Sequence, residues 1–448
     1  MALTGIEIFK YLPKSNCTEC GIATCLAFAM NVAAGKMSMA ACPYVSEQVK
    51  EQLAEATAPP VRLITFGAEQ QALKMGNESV LFRHEKRFEN QAAVGLLLSS
   101  TDEPSINENK IKSYVHLQYE RVGNCLKADF LYVEDSDETN PQAFTGLAQK
   151  AADMAPVMLC TGSPANARQA LQLISHKKPL IGAADLKNIE EFAALAKEYA
   201  CPLALVALDL QQAEQLSRRA QALGVKDLLF SIGASKISQA LKMAMEIRYQ
   251  AIADKNKDLG FPTILYPCAF SDSLAEESLY ATVLMAKYAS ALVLSRLEGE
   301  TLYPLLTARQ NIYADPQRPL TMPSGVYAIG NADENSPLVL SCNFSLTYFI
   351  VSGEIDNSAV PAHFIIKDTE GLSVLTAWAA GKFSAESIAA FIKKSNIEQI
   401  VKHRRLIIPG YISIESGALE EELPQWQIIV GPQNAAELPT FLKKWPHI

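Results

Sequence analysis

The sequence predicts a multidomain α/β protein: a small cysteine-rich domain at the N-terminus, a central TIM-type (β/α)8 barrel, and a C-terminal Rossmann-like α/β domain. Three observations carry this. Four of the nine cysteines fall within the first 42 residues. From about Ala92 to Leu306, short unbroken apolar runs alternate with helical stretches, the pattern of parallel strands covered on both faces. A proline-rich break at Ala314–Gly325 is followed by a restart of the same alternation. The boundaries expected are 1–60, 61–313 and 326–448.

The first domain is built on Cys17-Thr-Glu-Cys20-Gly-Ile-Ala-Thr-Cys25 and Cys42-Pro43, a Cys-x2-Cys-x4-Cys-x16-Cys-Pro spacing. Four thiolates meeting at one point can hold a [4Fe–4S] cluster, and a proline directly after the last ligand is a ferredoxin-like feature. Zinc competes, although zinc modules usually pair two Cys-x2-Cys knuckles and this chain has one. Buried, unliganded thiols are the third reading. From Gly21 the chain is rich in helix formers until Gly35. Ile22, Leu26, Met30 and Ala33 form the face expected to pack over the site, with Cys25 in the first turns. The other five cysteines are scattered singly, as reduced thiols are.

Ala54–Pro60 reads as an extended linker. Val61–Gly67 and Val80–Arg87 read as strands of a small leading β element. The barrel strands expected are Ala93–Leu98, Asp129–Val133, Pro156–Cys160, Pro179–Gly182, Pro202–Val206, Asp227–Phe230, Thr263–Tyr266 and Ala291–Leu294. Helices are expected at Pro141–Met154, Pro164–Ser175, Ile189–Tyr199, Leu210–Leu223 and Lys236–Ile252. An open doubly wound sheet is the alternative, but no Gly-x-Gly-x-x-Gly follows any strand. Barrel sites lie at strand C-termini, here Glu134/Asp135, Thr161/Gly162, Asp209 and Ser231/Gly233. These are also the residues that cap helices and make turns, the reading preferred here.

In the last domain, Leu338–Ser341, Phe364–Lys367, Arg405–Pro409 and Trp426–Val430 read as parallel strands. Helices are expected at Ser373–Ala380, Ala385–Lys394 and Ala435–Lys444. Ligands of open α/β sheets bind beyond the strand C-termini. Gly371-Leu-Ser-Val374 enters a helix there, so its N–H groups can donate to amide or phosphate oxygens of a ligand.

A net charge of −8 without a basic patch argues against nucleic acid. No secretory signal and no apolar run of 18 residues is seen, so a soluble, cytoplasmic protein without membrane partners is expected.

The run Asn16-Cys-Thr-Glu-Cys-Gly-Ile-Ala-Thr-Cys-Leu-Ala-Phe-Ala-Met30, with Cys42-Pro43-Tyr44, resembles the cluster domain of the corrinoid iron–sulfur protein large subunit. That family is also the gamma subunit of acetyl-CoA decarbonylase/synthase. Asn343–Phe349, Thr369–Val374 and Ile429–Pro432 are similar to its cobalamin-binding domain, and the order of domains matches along the whole chain. The resemblance implies a [4Fe–4S] cluster on Cys17, Cys20, Cys25 and Cys42. It implies a base-off cobalamin held by Ser341, Asn343, Thr347, Gly371, Leu372, Ser373, Val374 and Gly431, and no catalytic side chain.

The implied function is that of a corrinoid methyl carrier, a methyltransferase-type subunit of the reductive acetyl-CoA pathway. Co(I) takes a methyl group from methyltetrahydrofolate on a methyltransferase, methyl-Co(III) gives it to acetyl-CoA synthase, and the cluster re-reduces Co(II). A small corrinoid protein subunit is the implied heterodimer partner. The chain has no Asp-x-His-x-x-Gly motif, and His363 at the start of a strand is expected to be packed and not a cobalt ligand. The alternative is an iron–sulfur electron-transfer or scaffold subunit without corrinoid. Ala54–Pro60 and Ala314–Gly325 are the hinges expected if the domains swing.

Overall fold

Continuous apolar runs leave a strand no solvent face, and eight of them here close on one another. The computed structural model describes residues 4–33, 37, 39–46, 49 and 58–447. It divides into two compact units, one taking the chain up to Leu81, Glu89–Tyr114 and Ala128–Thr301, the other Phe82–Phe88, Val115–Lys127 and the chain from Leu302 onward.

In the first unit, β1 (Ile64–Phe66) and β2 (Leu73–Met75) form an antiparallel pair. β3 (Ala93–Ser99) begins the barrel, and the hairpin β4 (Tyr119–Arg121)–β5 (Asn124–Leu126) that follows belongs to the second unit. The barrel is completed by β6 (Phe130–Glu134), β7 (Val157–Cys160), β8 (Leu180–Ala184), β9 (Leu203–Ala207), β10 (Leu228–Ile232), β11 (Thr263–Leu265) and β12 (Ala291–Leu294). These eight strands close in chain order, all parallel, with β12 beside β3. The barrel expected from the sequence is the one found.

Inward residues such as Phe130, Tyr132, Met158, Leu229 and Val293 share one core with Ile64, Phe66 and Met75 of the leading pair. Full burial of each large apolar side chain contributes about 1.5–3 kcal/mol. Phe130 meets Phe66 edge-on, centroids 5.8 Å apart. Room for Phe130 depends on Gly95, where a Cβ would stand 2.3 Å from the ring.

One expectation near the barrel is corrected. The second strand of the leading element is Leu73–Met75; Val80–Arg87 is turn and coil. That segment follows Glu78, whose buried carboxylate accepts hydrogen bonds from Arg248 and from the N–H groups of Glu89 and Asn90. Arg248 also donates to Val80 O, so this stretch is held by a side chain and not by a strand ladder.

At the N-terminus, Thr4 and Glu7 make a reciprocal capping box on the helix Gly5–Phe9. The next helix is Cys25–Ala33, and it buries Cys25, Phe28, Ala29 and Val32. Leu26 and Met30 are 46% and 55% exposed, and Ile22 lies before the helix. The face expected from the sequence is therefore displaced: with the first turn at Cys25 and not Gly21, the inward stripe runs through Cys25 and Phe28. Gly35 and the linker residues 54–57 lie outside the described residues.

The second unit carries a five-stranded sheet: β13 (Gly325–Ile329), β14 (Leu338–Cys342), β15 (Ala362–Lys367), β16 (Arg405–Ile408) and β17 (Gln427–Val430), in the order β13-β15-β14-β16-β17. The four parallel strands match expectation. β13 is an additional antiparallel edge strand, which the prolines just before it concealed. One face of the sheet packs Leu340, Ile365, Ile388, Leu406 and neighbours. The other packs Val339, Phe364, Ile366, Ile407 and Leu442, together with Val122 from the tip of the β4–β5 hairpin. Among the described residues, no helix is long and apolar enough to cross a membrane.

Replacing Arg248 by Met should destabilise the protein by about 3–5 kcal/mol, because it strands the buried Glu78 charge. Arg218→Met, which removes an exposed guanidinium paired with Asp258 and Glu214, should leave stability nearly unchanged. Urea unfolding of both variants checks the contrast.

Candidate functional site

The sheet of the second unit reverses its winding at β14. The connection through the helix Ser345–Asn357 places β15 on one side of β14, and the chain then crosses to place β16 on the other. Ligands of such sheets bind at this switch point. Here β14 pairs with β15 at five positions but with β16 only at Val339–Ile407. The strands diverge beyond that pair, and a cavity of about 350 Å³ opens between their C-terminal halves.

The cavity floor is Val339, Leu340, Ile407 and Ile408. Its walls are Thr347, Ile350 and Val351 of the helix Ser345–Asn357, and Ser373, Val374 and Leu375 at the start of the helix Val374–Ala379. Pro409, Tyr411, Gly431, Pro432 and Gln433 form the rim. Gly410 and Gly431 let two loops touch: a Cβ on Gly410 would stand 2.5 Å from Gly431 O. The lining contains no charged side chain, histidine, cysteine or methionine. It is an apolar slot with hydroxyls at Ser341, Thr347 and Ser373, suited to a large flat ligand with neutral polar groups at its edge.

Of the residues singled out from the sequence, Ser341, Thr347, Ser373, Val374 and Gly431 line this cavity, and Asn343, Gly371 and Leu372 do not. The N–H of Gly371 was expected to be offered to a ligand. It donates instead to Asn343 Oδ1 at 3.0 Å, as does Thr369 N at 3.0 Å. His363 is buried on β15, with Nε2 2.9 Å from Asp333 O, and has no place in the lining. Sequence reasoning missed Val339, Leu340, Ile407 and Ile408, because strand residues that floor a cavity look like strand residues that fill a core.

The cysteine segment is compact. Lys14, Asn16, Thr18 and Gly21 all have left-handed φ, which curls the chain around Cys17 and Cys20. Asn16 Oδ1 accepts the Cys25 N–H at 2.9 Å and so ties the loop to the helix start. Cys25 and Cys42 are buried, and Cys20 packs against the same cluster with Phe28 and Met39. Tyr44, two residues after Cys42, donates its hydroxyl to Glu19 Oε1 at 2.5 Å. All four thiols are free.

Among the described residues, no three Cys, His, Asp or Glu side chains are gathered tightly enough for a single metal ion. Zinc with bonds of about 2.3 Å demands such a gathering. A four-iron cluster gives each thiolate its own iron, and Cys20, Cys25 and Cys42 share one apolar cluster.

A family model described as "CO dehydrogenase/acetyl-CoA synthase delta subunit" matches residues 63–442, and one described as "Putative Fe-S cluster" matches 12–44. The corrinoid/iron-sulfur protein large subunit of Moorella thermoacetica is 40% identical over 99% of both chains. The acetyl-CoA decarbonylase/synthase complex subunit gamma of Methanothermobacter thermautotrophicus is 33% identical over 99% of both. The chain belongs to the corrinoid/iron–sulfur protein large-subunit family. Among solved structures, dihydropteroate synthase from Thermus thermophilus is 14% identical with a TM-score of 0.41, over 56% of this chain and all of that one.

Several of the barrel candidates make local hydrogen bonds. Asp135 Oδ2 accepts from Thr161 Oγ1 and Asn166 Nδ2. Asp209 caps the helix Leu210–Ala222 by accepting from Gln212 N. Ser231 Oγ and Tyr266 OH are 2.7 Å apart inside the barrel, where burial pushes the tyrosine hydroxyl far above its ordinary pKa.

Cys20→Ala should lower bound iron and the broad visible absorption while the barrel keeps its far-ultraviolet dichroism. Full iron content in that variant would remove Cys20 from the ligand set.

Proposed function

We propose that this chain is a methyl carrier of the reductive acetyl-CoA pathway. The switch-point cavity would hold a corrinoid, and Cys17, Cys20, Cys25 and Cys42 would hold a [4Fe–4S] cluster. The observation that carries this reading is the cavity: an apolar, uncharged slot at the one place where the sheet splits, in a chain that also concentrates four free cysteines near its start. The corrinoid supplies a cobalt nucleophile able to take a methyl group from methyltetrahydrofolate on a methyltransferase and to give it to acetyl-CoA synthase, and the cluster supplies the low-potential electron that keeps cobalt reduced.

The chain's own residues bind, orient and exclude water. Val339, Leu340, Ile407 and Ile408 offer an apolar floor that excludes water from the buried end of the ligand. Ser341, Thr347 and Ser373 offer hydroxyls to its neutral polar edge. No imidazole, thioether or carboxylate is among the described lining residues, which supports a metal without a protein donor. Removing an axial donor favours the reduced metal, the same lever that tunes haem potentials.

Around the slot, the wall residues Ile350 and Leu375 and the rim residue Tyr411 are 49%, 46% and 50% exposed. Such a rim suits alternating cover by a small corrinoid protein subunit, the methyltransferase and the synthase. An electron-transfer subunit without corrinoid leaves this cavity without a use.

Anaerobically purified protein should contain cobalt and iron and show corrinoid bands over a broad cluster absorption. Thr347→Trp, which fills the slot from a helix surface, should weaken corrinoid affinity about tenfold or more. The same change should move stability by about 1 kcal/mol or less. Unchanged cobalt binding in that variant would place the corrinoid elsewhere.

A further inference from the structure

Asn343 lies two residues past Ser341, immediately after β14, and is 4% exposed. Its carboxamide is bonded at both ends. Oδ1 accepts from Thr369 N, Thr369 Oγ1 and Gly371 N at 2.9–3.0 Å, and Nδ2 donates to Asp368 Oδ1 at 2.8 Å. Two backbone N–H groups converging on one oxygen make the kind of concavity that otherwise recruits an anion. Here the protein fills it with its own side chain.

The loop so held has little freedom. Glu370 and Gly371 are consecutive left-handed residues, φ +57° and +78°. A Cβ at Gly371 would stand 2.8 Å from Thr321 Cγ2 and 2.9 Å from Pro319 Cγ. The loop leads directly into Ser373, Val374 and Leu375, the wall of the cavity. The far end of this segment has its own ties: Lys367 Nζ donates to Lys382 O, and Trp378 Nε1 donates to Glu415 Oε1. Asn343 is the tie at the near end.

We infer that Asn343 is a positioning residue: it sets the Asp368–Ser373 loop, and through it the cavity wall, without touching the bound ligand. By occupying the N–H groups of Thr369 and Gly371 it also keeps that loop from offering an anion site, so the wall selects a neutral, amide-bearing ligand edge over a phosphate. The inference rests on the corrinoid reading of the cavity and deepens it.

Hydroxocobalamin titration followed in the visible spectrum, with amide hydrogen exchange at Thr369 and Gly371, tests this on the full chain. Asn343→Ala should lower affinity about tenfold or more and speed exchange at both amides. Asn343→Asp keeps the acceptor oxygen but sets a second carboxylate against Asp368, and the pair resists double ionisation. Its binding should therefore be weak near about pH 8 and recover toward wild type near about pH 6. The other charges facing this loop, Lys367 and the Glu370–Lys382 pair, are common to wild type and variant, so the wild-type profile is the baseline.

Asn343→Ala binding within about twofold of wild type would overturn the inference, and so would an Asn343→Asp profile parallel to wild type. If Asn343→Ala does not fold, the Asn343→Asp pH profile decides. If the wild-type chain binds no corrinoid, the functional reading fails, and exchange at the two amides still decides what Asn343 does.

Discussion

The ladder between β14 and β16 closes at a single pair, Val339 with Ile407, and the C-terminal part of this unit is arranged around that gap. Two parallel strands that continued to pair would leave no room between them. Because the chain changes winding direction there, helices lie on opposite sides of the sheet and cannot fill the opening. The residues that would be core in a closed sheet become a floor, and the loops after β14, β16 and β17 become walls and rim.

Such a gap persists only if its edges are rigid, and polar side chains tie several of those edges. Asn343 fixes the loop before the helix Val374–Ala379, and Glu415 joins the end of that helix to the start of the next by accepting from Trp378 and from Ala385 N. Lys367, whose amine is pulled below its ordinary pKa by burial, bonds only backbone carbonyls among its hydrogen-bond partners, Asp368 O and Lys382 O. The slot itself stays free of charge. This division of labour suits a protein whose chemistry is carried by a cofactor: polar groups hold the walls, and the walls hold the ligand.

The barrel was the most legible part of the sequence, because buried parallel strands need unbroken apolar runs and each was punctuated by a turn or cap residue such as Ser163 or Asp209. Registers that depend on tertiary contacts were not legible. β13 follows a proline-rich segment and is an edge strand whose pairing with β15 no local pattern announces. The helix Ser345–Asn357 is apolar on nearly every side and buries only Ile355, so its periodicity gives no face and it was overlooked. The stripe of the helix Cys25–Ala33 shifted because its start is set by Asn16 accepting from Cys25 N, a contact across nine residues. At the cavity, the Gly371–Val374 turn into a helix was readable from loop chemistry, while Ser341, Thr347, Gly431 and Asn343 were implied only by the family resemblance, and Asn343 is spent on hydrogen bonds within the protein.

The account stands on one claim, that the switch-point slot holds a corrinoid to which this chain gives no axial donor. Electron paramagnetic resonance of the anaerobic cobalt(II) state measures that directly, since a coordinated nitrogen splits the cobalt lines into triplets. With the corrinoid bound base-off, the lining predicts a signal without nitrogen splitting, unchanged by His363→Ala. A triplet that disappears in His363→Ala would contradict the account, because that imidazole lies outside the slot and is bonded to Asp333 O.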